Sequence, residues 1–582
     1  MPSSSMSAVC SEILSPESLN ISDELFDIVM REKIVTKISD DIEKPSINIY
    51  ALSQLYLSSI IPILHDFGFT IIDEVAYKIV KNSQNVYINR FNLKIEDMKR
   101  LTDSKDNIEK VISDSLNGKI LTRCRLFALV YEEDLSIRKI MLLRAMIEYI
   151  DQSVISLNQG TILNTITQYS KISKLFVDYF MAKFDPKQTK RDKVLKDIEE
   201  RIEKEIKEVP NIMDDKILKL TYALIKNLLR TNYFFENESI AFKIDTNNYA
   251  ENLKGLQPMI EAFVYHPSFS GLHMRMSKIS RGGLRWSERH EDYRQEIKSL
   301  MITQEGKNSI IIPDGAKGGF VIHETKQKIT KEFFETVYSS FINNMLDLVD
   351  NMIDGKIVRD EKIIAYDGDD AYFVVAADKG TASMSDVANE ISKSRGYWLG
   401  DAFASGGSNG FGHKELGITA RGSLVSTERF FIEKGIDIKK TSITMVGIGS
   451  MKGDVFGNGL LYSKSFKLLA AISHQEIFID PTPDTAVSYE ERSRLFSAED
   501  GSWSAYDKKL ISQGGGVFFR SQKSIELSAE IKKMLNTTKK SLSGEELARK
   551  CLMMKVDLLF NGGVGTYVKS VDESNLDIGD KQ

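Results

Sequence analysis

Cysteine is scarce: the 582 residues contain three, Cys10, Cys124 and Cys551. A set so sparse and odd is no disulfide framework, and it reads as free thiols in a reducing compartment. The seven histidines are scattered without the spacing of a zinc site, so no metal is expected. An excess of one charge is missing too, since 77 basic and 82 acidic residues leave a net charge of -5. That balance leaves no electrostatic footprint for nucleic acid or an anionic membrane. The opening MPSSSMSAVCSEILSPESLN has neither a basic start nor a continuous apolar stretch, so it is not a secretory signal. The most apolar early window, Ala51 to Ile72, is interrupted by Gln54, Ser58, His65 and Asp66 and reads as core, not as a membrane span. With 42% hydrophobic and 27% charged residues, the expectation is an ordinary cytoplasmic globular protein.

Texture divides the chain into four. Residues 1–110 have weak periodicity, and only short helices can be placed there. Residues 111–238 are predicted helical. Ile140, Leu143, Ile147 and Ile150 recur at three- and four-residue steps, and Leu195, Ile198, Ile202 and Ile206 form one apolar face in a highly charged segment. Near Ile240 the apolar runs become short and rich in Val and Ile, with glycine clusters between them, which is α/β texture. A boundary near Ile438 separates residues 239–436 from 437–582. Before it, a helix from about Gly422 to Lys434 is closed by Gly435.

Chemistry concentrates at three places. In ITMVGIGSMKGDVFGNG, a strand from Ser442 to Val446 enters a turn with Gly447, Gly449 and Gly453 and then a helix. Such a turn suits a pyrophosphate, although Lys452 stands where the strict fingerprint wants glycine. Glu476 to Ile479 is a second short strand closed by Asp480, which suits either a ribose hydroxyl or a cap before Pro481. Further upstream, a helix ends near Gly306 and is followed by Lys307, a strand from Ser309 to Ile312, and a PDGAKGG loop carrying Lys317. A lysine among glycines can enter a shared pocket, where desolvation and a second cation lower its pKa, or it can be a surface lysine in a turn. Third, Tyr372 to Ala376 is an apolar strand leading to Asp378, at the kind of strand end where α/β folds hold catalytic groups. The DGDD at 367–370 lacks the other ligand positions of a calcium loop and reads as a polar turn.

Taken in order, RGGLRW, GAKGGF, VVAADKGTA, WLGDAFASGGS, GITARG, VGIGSMKGDVFGNG, FIDPTPD, ISQGGGVF and NGGVGTYVK resemble the large, non-hexameric NAD-specific glutamate dehydrogenases, from about Ser277 to Lys569. The resemblance implies an α/β fold: a helical N-terminal region, then a two-domain amino-acid dehydrogenase core. Residues 239–436 become its substrate domain, and residues 437–582 a Rossmann-like NAD domain truncated at its C-terminus. It implies that Lys307 holds the substrate α-carboxylate, that Lys317 is the catalytic lysine, and that Asp378 carries protons to and from the amino nitrogen. Thr419 and Asn561 fall near the nicotinamide, Gly447, Gly449 and Gly453 at the pyrophosphate, and Asp480 at the ribose. Arg281 stands where smaller relatives grip the substrate's side-chain carboxylate with lysine, and arginine can do so bidentately. The implied reaction is oxidation of glutamate by NAD to 2-oxoglutarate and ammonia, by a homo-oligomer or a chain completed by a missing C-terminal part. The alternatives are an inactive remnant or split-gene fragment that only binds a partner, and a dehydrogenase for another amino acid.

Overall fold

The computed structural model describes residues 21–574, except 40, 42, 122, 155–156, 250–255, 309–313, 324–328, 379, 382, 412–415, 564–565 and 567, and except the side chains of 306–308. The chain divides into two compact units, residues 1–405 and 406–582. Among the described residues, no helix is long and apolar enough to cross a membrane.

Where the sequence suggested only short helices, residues 34–94 carry a four-stranded antiparallel sheet. Its strands are β1 (Ile34–Ile38), β2 (Ser46–Ala51), β3 (Thr70–Lys81) and β4 (Gln84–Lys94), in the order β1-β2-β4-β3. Asn82 and Ser83 join the long hairpin with φ of 51° and 62°, the paired positive values of a type I′ turn. The edge strand β1 is closed by the helix α1 (Lys105–Leu116) and the residue after it. Ser113 Oγ accepts from Thr36 N (2.9 Å), Glu109 Oε1 from Ile38 N (2.8 Å), and Asn117 Nδ2 donates to Ile34 O (2.8 Å). Side chains thus occupy backbone groups that would otherwise recruit another strand.

The helical region follows as expected. Helix α2 (Ile137–Ser153) buries Ile140, Leu143, Ile147 and Ile150, and the charged helix Arg191–Lys207 buries only Ile198, Ile202 and Ile206. These helices cover one face of a mixed sheet built from β5 (Leu228–Thr231), β6 (Ile240–Asp245), β7 (Ile260–His266), β8 (Phe269–Arg275), β9 (Ser280–Arg281), β10 (Gly283–Trp286) and β11 (Asp314–Ile322). A separate hairpin, β12 (Asn351–Ile353) and β13 (Lys356–Val358), precedes its last two strands, β14 (Val375–Ala377) and β15 (Ala404–Ser405). The order is β15-β14-β10-β11-β8-β7-β6-β5, with β9 beside β11. Alternation along β7 shows the layering. Phe263 and Tyr265 pack with the helical region, whereas Ala262 and Val264 pack on the opposite face with Phe341 and Ile342 of the helix Lys331–Leu346. Helix α3 (Tyr293–Asn308) lies between β10 and β11 in the chain, and helix α4 (Ser385–Ser394) follows β14. Ser385 is the first residue of α4, and its hydroxyl donates to Ser405 O (2.8 Å).

The second unit opens with helix α5 (Ile418–Ile432), and Gly435 beyond it has φ of 70°. Its sheet comprises β16 (Ile443–Ile448), β17 (Phe466–Ile472), β18 (Glu476–Ile479), β19 (Gly516–Phe519) and, after a small β20–β21 pair (Ile525–Glu526 and Ser541–Leu542), β22 (Leu558–Asn561). The order is β19-β18-β17-β16-β22. β16 is parallel to β17 and to β22, whereas β17 pairs antiparallel with β18. Helix α6 (Asp454–Leu460) connects β16 to β17.

Candidate active site

In the first unit the decisive residue has no side chain. β10 lies between β11 and β14 and is parallel to both, with Leu284 level with Gly318 on one side and with Ala377 on the other. Two strand spacings separate β11 from β14, roughly 10 Å. Lys317 on β11 and Asp378, just past β14, nevertheless form an ion pair. Gly283 makes this possible. A Cβ there would stand 3.0 Å from Asp378 Cβ and 3.1 Å from Lys317 Nζ. The lysine therefore reaches across the middle strand through space that any other residue would fill. This corrects the expected loop: GAKGG is strand β11, and its glycines allow close packing, since a Cβ at Gly319 would stand 2.4 Å from Ile297 of α3.

Arg285, two residues beyond Gly283, completes the cluster and was not among the residues expected from sequence. Its Nε donates to Asp378 Oδ2 (3.2 Å) and its Nη1 to Glu296 Oε1 of α3 (2.8 Å). Ser287 Oγ also donates to Glu296 (2.6 Å), which fixes the guanidinium. The signal was present in RGGLRW: once this segment is read as a strand, residues 283 and 285 face the same side. Burial alone would raise the Asp378 carboxyl, but the Lys317 ammonium and the Arg285 guanidinium override it and hold it down at about 2. The turn is held by Thr381, whose hydroxyl accepts from Asp378 N (3.1 Å) and donates to Leu284 O (2.6 Å). The Lys317 and Asp378 side chains keep 11% and 18% exposure, so the pair is reachable from solvent.

Two further residues were expected to hold the substrate. Arg281 is exposed on β9, level with Gly315 and two residues before Gly283. Lys307 lies in the last turn of α3, and its side chain is outside the described residues. The strand expected at Ser309–Ile312 is also outside them.

The DGDD turn has a different task. Asp367 and Asp370 pair with Arg230, Lys243 and Arg275, and Arg230 also pairs with Asp350 (2.8 Å). Arg275 on β8 further donates to Tyr372 O (3.1 Å), tying the strand beside Lys317 to the segment that leads to Asp378.

In the second unit, the glycine turn, Asn561 and Ser473 sit at the carboxyl ends of three adjacent parallel strands, β16, β22 and β17. Gly449 has φ of 152°, and its N–H donates to Ile472 O (2.8 Å), while Gly562 N donates to Ile448 O (2.9 Å). Phe456 of α6 packs into the turn, and a Cβ on Gly447 would stand 2.2 Å from its ring. Gly453 caps α6. Lys452 donates to the carbonyls of Ala498 and Glu499, so it anchors the turn where a third glycine was wanted. Thr419 is exposed in the first turn of α5, beside Gly417, which lies against Asn458 of α6. Asn561 accepts from Gly563 N (3.3 Å). Neighbours of β16 lie on both sides of it, with β17 reached through α6 and β22 arriving from later in the chain. That is a topological switch point, the crevice where open α/β sheets receive nucleotides.

Asp480 does not join this group. Because β18 runs antiparallel to β17, its carboxyl end lies at the opposite edge of the sheet, where Asp480 N donates to Leu469 O (2.9 Å). Asp480 is fully buried, and its carboxylate accepts from the backbone N–H and hydroxyl of Ser512.

The family model for the bacterial NAD-glutamate dehydrogenase catalytic domain matches residues 201–582. Models of the glutamate dehydrogenase helical motif 3 and ACT3 domain match 125–186 and 35–105. An NAD-specific glutamate dehydrogenase of Pseudomonas aeruginosa is 40% identical over 554 residues, covering 91% of this chain and 34% of that protein. Those of Halomonas elongata and Mycobacterium tuberculosis are 39% and 37% identical, each over 90% of this chain and 33% and 34% of their own lengths. The chain therefore spans about a third of these relatives. The match over 201–582 takes in both the Lys317–Asp378 pair and the glycine turn, and on that extent the chain belongs to the bacterial NAD-glutamate dehydrogenase family.

Proposed function

We propose that this chain carries the catalytic residues for oxidative deamination of L-glutamate to 2-oxoglutarate and ammonia. The observation that supports it most is the ion pair of Lys317 and Asp378 across Gly283, braced by Arg285, within the segment that the catalytic-domain family matches. Gly447, Gly449, Gly453, Thr419 and Asn561 would hold NAD at the β16 crevice, where it would accept the hydride leaving the substrate Cα.

The chain's own groups do the rest. Lys307 and Arg281 bind the two substrate carboxylates. Asp378 stays ionised while Lys317 and Arg285 flank it, so it first acts as an acceptor for the substrate ammonium. A substrate amine inserted between Lys317 and Asp378 separates the pair. Removal of that cation raises the proton affinity of Asp378, which then takes the amine proton. Loss of the hydride leaves an iminium; water adds at its Cα and gives one proton to solvent, forming a carbinolamine. Asp378 then returns its proton to the nitrogen, which leaves as ammonia while the hydroxyl gives its proton to solvent and the carbonyl forms, with Lys317 stabilising the negative charge that develops on that oxygen.

The test is the purified chain with glutamate and NAD, following NADH absorbance, with Lys317→Ala as control and other amino acids as parallel substrates. Turnover with glutamate that disappears in Lys317→Ala supports the reading. Turnover with another amino acid alone moves the substrate assignment. A folded chain that turns over none of them refutes the reading for this polypeptide.

A further inference from the structure

The displacement of Asp480 leaves the adenosine ribose without its expected partner, and the fold supplies another. In nucleotide-binding sheets the ribose hydroxyls meet the residue at the end of the second parallel strand. Here that strand is β17. Its last carbonyl, Ile472 O, accepts from Gly449 N at 2.8 Å, so the residues just after Ile472 stand beside the glycine turn. They form a tight turn. Ser473 N donates to Glu476 O (2.8 Å), and Ser473 Oγ accepts from Gln475 N (3.2 Å) and Glu476 N (2.9 Å). Ser473 is buried by this folding, which leaves His474 and Gln475 exposed at the tip.

Two charges beside the tip, Glu476 and Arg520, are committed elsewhere. The Glu476 carboxylate accepts from Trp503 N (3.2 Å) and Ser504 N (3.0 Å). Arg520, which reaches Ser473 O at 3.4 Å, is forked onto Glu545 at 2.8 Å through both Nε and Nη2. What the turn presents is therefore an imidazole and a carboxamide, not a carboxylate that would repel a 2′-phosphate.

We infer that His474, at the tip of the 473–476 turn, reads the adenosine ribose and sets the choice between NAD and NADP, and that Asp480 takes no part in it. This rests on the NAD reading above. Selection here comes from hydrogen bonding to the ribose, not from repulsion by an acid. It can therefore be moved in either direction at one exposed residue.

The experiment measures NAD and NADP affinity of the full chain by titration, with His474→Asp, His474→Arg and Asp480→Asn alongside the unaltered protein. His474→Asp is expected to weaken NADP by about tenfold or more through charge repulsion, with NAD retained. His474→Arg is expected to strengthen NADP by about tenfold through a charge-assisted contact. Asp480→Asn should leave the NAD:NADP ratio within about twofold, as expected of a distant site. If the unaltered chain binds NAD but neither substitution at 474 shifts the ratio, or Asp480→Asn shifts it about tenfold, the ribose assignment is overturned and the NAD reading stands. If the unaltered chain binds neither dinucleotide, both are overturned. Because 474 is exposed in a turn, its two variants keep the test informative even if Asp480→Asn fails to fold.

Discussion

Two clusters of the first unit are built from the same side chains and do different things. One joins Lys317, Asp378 and Arg285. The other joins Arg230, Lys243, Arg275, Asp350, Asp367 and Asp370. The second is sealed: the side chains of Arg230, Asp350 and Asp370 have 0% exposure and that of Lys243 has 1%. The first stays open, and Gly283 provides clearance along the line joining its ion pair. In the sealed network every charge is answered by a protein group, so nothing is left for a ligand. Burial and the neighbouring Arg275 push the Lys243 ammonium down to about 8, yet two aspartates hold it in place. The open pair can exchange its partner for a substrate. Residue type does not make a polar cluster catalytic; access and replaceable partners do.

The largest expected effect comes from removing one member of the open pair. Lys317→Ala should lower turnover roughly a thousandfold, with the denaturation midpoint nearly unchanged. A collapse of stability instead would make Lys317 a structural residue like those of the sealed network. The converse experiment is Arg275→Ala, which takes one of two cations from the buried Asp370 and leaves it Lys243. It should destabilise the protein by about 3–5 kcal/mol, as read in chemical denaturation. A variant as stable as the parent would show that Lys243 alone answers the Asp370 charge.

Gly283→Ala is the intermediate case. Its new methyl would stand 3.1 Å from Lys317 Nζ and 3.0 Å from Asp378 Cβ. Turnover should fall by about a hundredfold, the cost of a small misplacement of reacting groups, while circular dichroism stays native. Unchanged kinetics would refute the clearance argument.

The smallest effect is on acid stability. The folded Asp378 carboxyl lies at about 2, below its ordinary value. Its contribution is therefore complete above about pH 4 and is lost as pH falls toward 2. Arg285→Gln removes one of the two cations, so the folded value rises, the contribution shrinks and its loss is complete at a higher pH. The acid-unfolding midpoint should move up by about half a unit. A midpoint that stays put or moves down would assign the depression to Lys317 alone.

Much of this was legible without coordinates, and the reasons differ by element. The apolar stripe of α2 and the single packed face of Arg191–Lys207 follow from helical spacing, because side chains three and four apart share a face whatever the tertiary context. The strand–turn–helix at 443–460 was readable because a glycine at Gly449 and a cap at Gly453 are local requirements. The first sheet was not, because β3 is an edge strand partly exposed on both faces, which blurs alternation. The Asn82–Ser83 turn was the local cue within it. Arg285 was quoted within its motif but had no assigned partner, since Glu296 and Asp378 reach it from other elements.

The sequence by itself determined the chemistry: which lysines and carboxylates are present, where glycines interrupt the chain, and which family pattern they follow. Only the tertiary structure decided which of them meet. GAKGG became a strand because β10 and β8 pair with it on either side, and Lys317 met Asp378 because the strand between them bears a glycine. Asp480 left the glycine turn because β18 reversed direction. Strand partner and strand direction are properties of the whole sheet. Side-chain pattern along one segment carries its period and its composition, but not the neighbour beside which it will lie.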